Sequence, residues 1–159
     1  METAKNAEYR QWMLRCLELA GEALEAGETP VGAIVVLNGH VIAGGRERTR
    51  ASLDPSAHAE VEAIRAACAA VGSLDLPGAV LFTTVEPCVL CSYAIRRTKM
   101  SRVVYGTAAG AIGGHLGSWP VLTDTAAFAG LAVPEIQAGL LADECHNLLT
   151  EAHRRRERA

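Results

Sequence analysis

Although half of its 159 residues are hydrophobic, the sequence contains no uninterrupted apolar run near the roughly 18 residues that a membrane helix requires. A helical membrane span is therefore excluded. The opening stretch, Met1 to Arg10, is polar and charged and lacks the apolar segment of a secretory signal, so a soluble cytoplasmic protein is expected. Linkers, internal repeats and low-complexity tracts are missing as well. A single domain over residues 1–159 is expected, long enough to bury roughly two thirds of its unfolded surface. Disulfides are not expected either, because the five cysteines, at 16, 68, 88, 91 and 145, are odd in number and accompany no export signal. Cys16, Cys68 and Cys145 fall on or beside the apolar stripes of helices, where cysteine behaves as a small buried hydrophobe. Only Cys88 and Cys91 read as ligands.

What is present alternates between strand and helix patterns. Met13, Leu17, Ala20 and Leu24 recur at helical spacing, predicting a helix over about residues 4 to 26. The apolar runs Ala33 to Leu37 and Val41 to Gly44 flank Asn38-Gly39, a strong hairpin signal, so the sheet opens antiparallel. Val61, Ile64, Cys68 and Val71 continue a second helix whose first turn holds His58 and Glu60. Ala79 to Thr84 reads as a central strand, and Pro87 suits the first position of a third helix. Arg102 to Gly106 closes a strand-helix-strand unit whose strands should run parallel. Leu131 to Ile136 reads as a last strand, and Leu141, Cys145, Leu148 and Ala152 mark a closing helix. The predicted architecture is a three-layer α/β/α sandwich around a mixed sheet of about five strands.

Two segments carry chemistry: His58-Ala59-Glu60 and Pro87-Cys88-Val89-Leu90-Cys91. Cys88 and Cys91, at i and i+3, put both sulfurs on one face of a first helical turn. There the helix dipole favours thiolates, the form that binds metal. With His58 they make three protein ligands for Zn2+, and the fourth tetrahedral position falls to water, as in catalytic rather than structural zinc. Glu60 lies about 200° from His58 on an ideal helix, yet at a frayed first turn its side chain reaches toward the water as a proton shuttle. Taken singly, each part has a plainer reading. Cys-x-x-Cys also serves half-sites of structural zinc and redox pairs, His58 alone suits a helix-start hydrogen bonder, and Glu60 alone suits a first-turn charge. A structural site would need a fourth ligand, and none is evident nearby.

H-x-E followed by P-C-x-x-C is the signature of zinc deaminases acting on cytosine or adenine. His58, Glu60, Pro87, Cys88 and Cys91 reproduce it. On these residues, with Pro30-Val31-Gly32-Ala33, Asp54-Pro55-Ser56-Ala57 and Ala142-Asp143-Glu144-Cys145, the chain resembles the cytidine deaminase superfamily, in the branch of bacterial tRNA adenosine, guanine and cytosine deaminases. The resemblance implies a cytidine deaminase-like fold, hydrolysis of an exocyclic amine with release of ammonia, ligands His58, Cys88 and Cys91, Glu60 as proton shuttle, and a homodimer. It also nominates Ala33, Glu47, Trp119 and Glu144 as substrate contacts.

Substrate class rests on departures from that family. Where many members carry a base-binding asparagine, this chain has Glu47. An ionised glutamate only accepts hydrogen bonds, so a base rich in N–H donors is expected. The stretch Thr107 to Leu122 holds only His115 as a candidate cation, and Trp119 is suited to stack on a planar base or to anchor the loop. Net charge is −3, and Leu140 to Ala159 sums to zero, whereas polyanion binding normally requires a basic face. The expectation is therefore a zinc-dependent deaminase of a small free nucleobase or aminoheterocycle of cytosine, guanine or aminotriazine type. A tRNA-specific adenosine deaminase is the second reading, favoured by the clusters Arg46, Arg48, Arg50 and Arg96, Arg97, Lys99, Arg102. A non-catalytic zinc-fold partner subunit is the third, and the retained Glu60 argues against it.

Overall fold

The computed structural model describes residues 2–159. Thr3 caps the first helix, α1 (Ala4–Glu25), by accepting from the Asn6 amide. The hairpin follows as β1 (Gly32–Leu37) and β2 (His40–Arg46), joined through Asn38 and Gly39, both at positive φ. β2 runs two residues beyond its expected end, with a register shift opposite Val35 and Val36. A single-turn helix, α2 (Thr49–Ser52), stands where the sequence reads as loop. It forms because the Glu28 carboxylate accepts from the Arg50 and Ala51 amides, capping the turn from outside.

The remaining elements are α3 (Ala59–Val71), β3 (Val80–Val85), α4 (Val89–Arg97), β4 (Arg102–Thr107), β5 (Glu135–Ala138) and α5 (Ala142–Arg158). The sheet order is β2-β1-β3-β4-β5. β1 is antiparallel to both neighbours, whereas β3, β4 and β5 run parallel. The fold is thus the mixed five-stranded α/β architecture expected. Alternation along the strands builds its two cores. Ala33, Val35, Leu81, Val103 and Tyr105 face α3 and α4, while Ile34, Val36, Phe82 and Val104 face α1 and α5. On the second side Tyr9 and Trp12 pack edge-on to Phe82, with ring centroids 5.0 and 5.2 Å away.

Two further boundaries differ from the sequence reading. The third helix begins at Val89 rather than Pro87, since Cys88 is extended at φ −69° and ψ 177° and bridges to Gly113. The Pro87 carbonyl is likewise taken, by the Gly114 amide and the Ser92 hydroxyl. The last strand begins at Glu135 rather than Leu131: the Leu131 amide turns back to the Phe128 carbonyl, and Pro134 has no N–H to offer the ladder. No helix among the described residues is long and apolar enough to cross a membrane.

Close backbone approach sets where α3 lies. A Cβ on Gly45 would stand 2.5 Å from the Ala63 nitrogen and 2.6 Å from the Ala59 carbonyl oxygen. Gly45→Ala is therefore expected to destabilise the fold by about 1–3 kcal/mol and to weaken metal retention. In α1, Gly21 has nothing within 4 Å of such a Cβ, so Gly21→Ala should gain about 0.5–1 kcal/mol. Urea denaturation of the two variants checks the contrast.

Candidate metal centre and catalytic cleft

The turn before α3 positions its first ligand. Asp54 Oδ1 accepts from the amide and hydroxyl of Ser56 at 2.8 and 2.7 Å, and the His58 amide donates to the Ser56 carbonyl. His58 is thereby held in extended conformation as the N-cap residue, just outside the helix. The 200° separation that would part His58 from Glu60 on one helix does not apply. Both face one cleft.

Cys88 is the N-cap of α4 and Cys91 lies in its first turn. Their sulfurs each stand 3.5 Å from His58 Nδ1, and the three ligand atoms lie within 4.8 Å of one another. Glu60 is buried beside them, its Oε1 accepting from the Thr83 hydroxyl at 2.9 Å and its Oε2 lying 3.4 Å from Cys91 Sγ. Thr83 comes from the middle of β3, and its hydroxyl also approaches the Val85 carbonyl, at 3.2 Å.

Charge at this cluster is strongly perturbed. The hydrogen bond from Cys91, with that of His58, brings the Cys88 thiol down to about 4. The Cys88 sulfur in turn holds His58 up to about 9. Cys91 is pushed upward by its bond to Cys88 and by burial. Burial raises Glu60 to about 7, against a smaller lowering by the Thr83 hydrogen bond. Two sulfurs and a carboxylate thus crowd one buried space, and the cleft is lined by no lysine or arginine. One imidazole nitrogen and two sulfurs suit zinc, and a divalent cation supplies the missing positive charge and deprotonates a coordinating thiol outright. The residues fit the metal.

The cleft has a volume of about 390 Å³ and is walled by Thr29, Val31, Glu47, His58, Glu60, Val85, Glu86, Cys88, Ala108, Ala109, Ile112 and Leu149. The four motif residues and Glu47 are nearly all gathered here; Cys91 lies underneath, buried. Ala33, Trp119 and Glu144 are not on its walls. Ala33 packs between sheet and α3, two residues past the wall residue Val31. Trp119, 70 % exposed, borders with Leu90 an adjoining apolar groove that shares Cys88 and Ile112 with the cleft. Glu144 is exposed at the start of α5, which contributes Leu149 to the cleft instead. Sequence reasoning missed Thr83 and the carboxylate of Glu86. Two adjacent threonines, Thr83 and Thr84, inside an apolar central strand, and an acid directly before Pro-Cys, were the available signals.

Comparison with known proteins adds substrate information. A family model for the cytidine and deoxycytidylate deaminase zinc-binding region matches residues 6–107. The chain is 46% identical over 100 residues to the tRNA-specific adenosine deaminase of Agrobacterium fabrum, covering 63% of this chain and 66% of that protein. It is 35% identical over 139 residues to the tRNA-specific adenosine deaminase of Bacillus subtilis, covering 87% and 84%. A solved structure from a study of A-to-I editing by tRNA:A34 deaminases at the wobble position of transfer RNA superposes with a TM-score of 0.82. Its sequence identity is 37%, over 87% of this chain and 99% of that one.

These relatives overturn the expectation of a small free base as substrate and partner, since the two curated relatives and the solved structure just described are named for an adenosine within tRNA. The expectation leaned on Glu47 as an ionised acceptor, yet burial raises its pKa against the opposing charge of His58, so its surroundings work against the charged form.

Removal of any one ligand side chain, His58→Ala, Cys88→Ala or Cys91→Ala, is expected to take the zinc content of purified protein well below one per chain. Cys68→Ala should leave it at one. Elemental analysis after dialysis decides this.

Proposed function

The chain belongs to the cytidine and deoxycytidylate deaminase family and is a zinc-dependent hydrolytic deaminase; we propose that its substrate is an adenosine in the anticodon of tRNA, which it converts to inosine. What carries this reading is the likeness along 139 residues to a tRNA-specific adenosine deaminase. The surface supports it despite the net charge of −3. Arg50, Arg155 and Arg156 line one depression, in which Arg155 is paired with Glu25 and Glu151, and Arg156 reaches Thr29 on the cleft wall at 3.4 Å. Arginines at the rim meet phosphates while the cleft itself stays free of them.

In this reading the target nucleotide leaves its stack and enters the cleft, as enzymes acting on a base require. His58, Cys88 and Cys91 hold the zinc. Zinc supplies Lewis acidity, bringing the pKa of a water molecule toward about 7. Glu60 takes a proton from the attacking water, returns it to the ring nitrogen, and carries the second proton to the exocyclic amine, which departs as ammonia. A carboxyl raised to about 7 by burial both gives and takes protons near neutrality. Thr83 fixes Oε1, which leaves Oε2 directed toward the ligand cluster. Glu47, also on the cleft wall and close to His58, is available to bond the nucleotide's polar edge. A non-catalytic partner subunit would have no use for a buried, oriented Glu60.

Zinc-loaded protein incubated with an anticodon stem-loop bearing adenosine at the first anticodon position is expected to yield inosine and ammonia. An unchanged stem-loop would refute the substrate assignment. Glu60→Gln should keep its zinc while turnover falls by about 10²–10⁴; metal analysis with single-turnover kinetics reads both quantities on one sample.

A further inference from the structure

We propose that Glu86 is a positioning residue for the deamination: through three backbone amides its carboxylate holds the wall of the catalytic cleft against the turn that carries Cys88, and so governs substrate binding rather than zinc. The inference rests on the deaminase reading of the cleft.

Glu86 is 1 % exposed and makes no salt bridge among the described residues, so its carboxylate must be met by other groups. It is met by main-chain donors. Oε1 accepts from the Ala109 amide at 3.0 Å, and Oε2 accepts from the amides of His115 and Leu116 at 3.0 and 2.8 Å. Hydrogen bonds to a carboxylate are about twice as strong as neutral ones, and all three reach into the segment after β4. The Glu86 amide also donates to the carbonyl of Thr107, the last residue of β4, at 2.8 Å, so its main chain holds the point from which this segment leaves and its side chain holds the segment itself.

The segment is shaped for that grip. A Cβ on Gly113 would lie 2.1 Å from Glu86 Oε2, so only glycine allows the chain to wrap the carboxylate so tightly. Gly113 bridges to Cys88, and the Gly114 amide donates to the Pro87 carbonyl at 2.8 Å. The residues on either side of these fastenings, Ala108, Ala109 and Ile112, are cleft wall. Ala109, the residue just before the 3₁₀ turn Gly110–Ile112, is the point where the carboxylate touches the wall directly. A wall displaced by a fraction of an ångström changes how the substrate is held while leaving His58, Cys88 and Cys91 in place.

Glu86→Gln isolates this contact. The amide oxygen can still accept from His115 and Leu116, but its –NH₂ then faces the Ala109 N–H, donor against donor. The variant should retain one zinc per chain. Its KM for the anticodon stem-loop is expected to rise about 10-fold with kcat within about 3-fold, the pattern of lost binding rather than lost chemistry. Amide exchange of zinc-loaded protein should show Ala109 exchanging at least about 10-fold faster than in the wild type, with the α4 amides unaltered. An unchanged KM and Ala109 exchange rate at equal zinc content overturn the proposal, as does a loss confined to kcat or to the folded fraction. Should Glu86→Gln not fold, Glu86→Asp takes its place, and the wild-type protein gives an independent result. Protected Ala109, His115 and Leu116 amides support the assignment, and fast exchange at all three refutes it. A wild-type enzyme inactive on the stem-loop would sink the tRNA reading alone, because the exchange measurement still decides the contact.

Discussion

Backbone contact between β2 and the first turns of α3 is the constraint on which the site depends. Gly45 lets the helix settle against the strand, and Ala59, Ala63 and Ala67, all without solvent exposure, continue that close packing along its inner face. With the helix this near, His58 at its N-cap and Glu60 in its first turn come within reach of groups on other elements. Glu60 meets Thr83 of β3, and His58 meets two sulfurs of α4. A bulkier stripe would have kept the same sequence motif and separated its parts.

The second organising feature is how buried carboxylates are accommodated around the cleft without ion pairs. Glu28 is met by the amides that begin α2, and Glu86 by three amides after β4. Glu60 has a hydroxyl and a thiol, and is left with the elevated pKa that proton transfer near neutrality requires. The first two are fully occupied in holding backbone. The third keeps an oxygen directed toward the ligand cluster, and that difference in hydrogen bonding separates scaffold from shuttle.

Much of the fold was legible because its signals are local. Asn38-Gly39 announces the hairpin, period-two and period-3.6 hydrophobicity mark strands and helices, and i, i+3 spacing places two sulfurs on one face. Of the misplaced boundaries, the one at Leu131 comes from a local turn back to Phe128, whereas at Pro87 a distant partner takes the carbonyl that would have extended the helix. α2 escaped notice for the same reason, since its cap is a carboxylate 22 residues away. Substrate contacts were harder still, because a cleft wall is assembled from six separate segments, and proximity in sequence to a motif does not bring Ala33 or Glu144 to its surface.

The sequence by itself determined the chemistry: a histidine, two cysteines and a carboxylate in this order and spacing suit zinc and hydrolytic deamination, since ligand type and charge are properties of the residues themselves. Tertiary structure decided which groups share one enclosure. It buried Glu60 and Glu47 so that both pKa values are raised, brought Arg50 beside Arg155 and Arg156 of α5, and gave Glu86 its amide partners. Those outcomes depend on desolvation and on contacts between residues far apart in the chain, which no local pattern encodes.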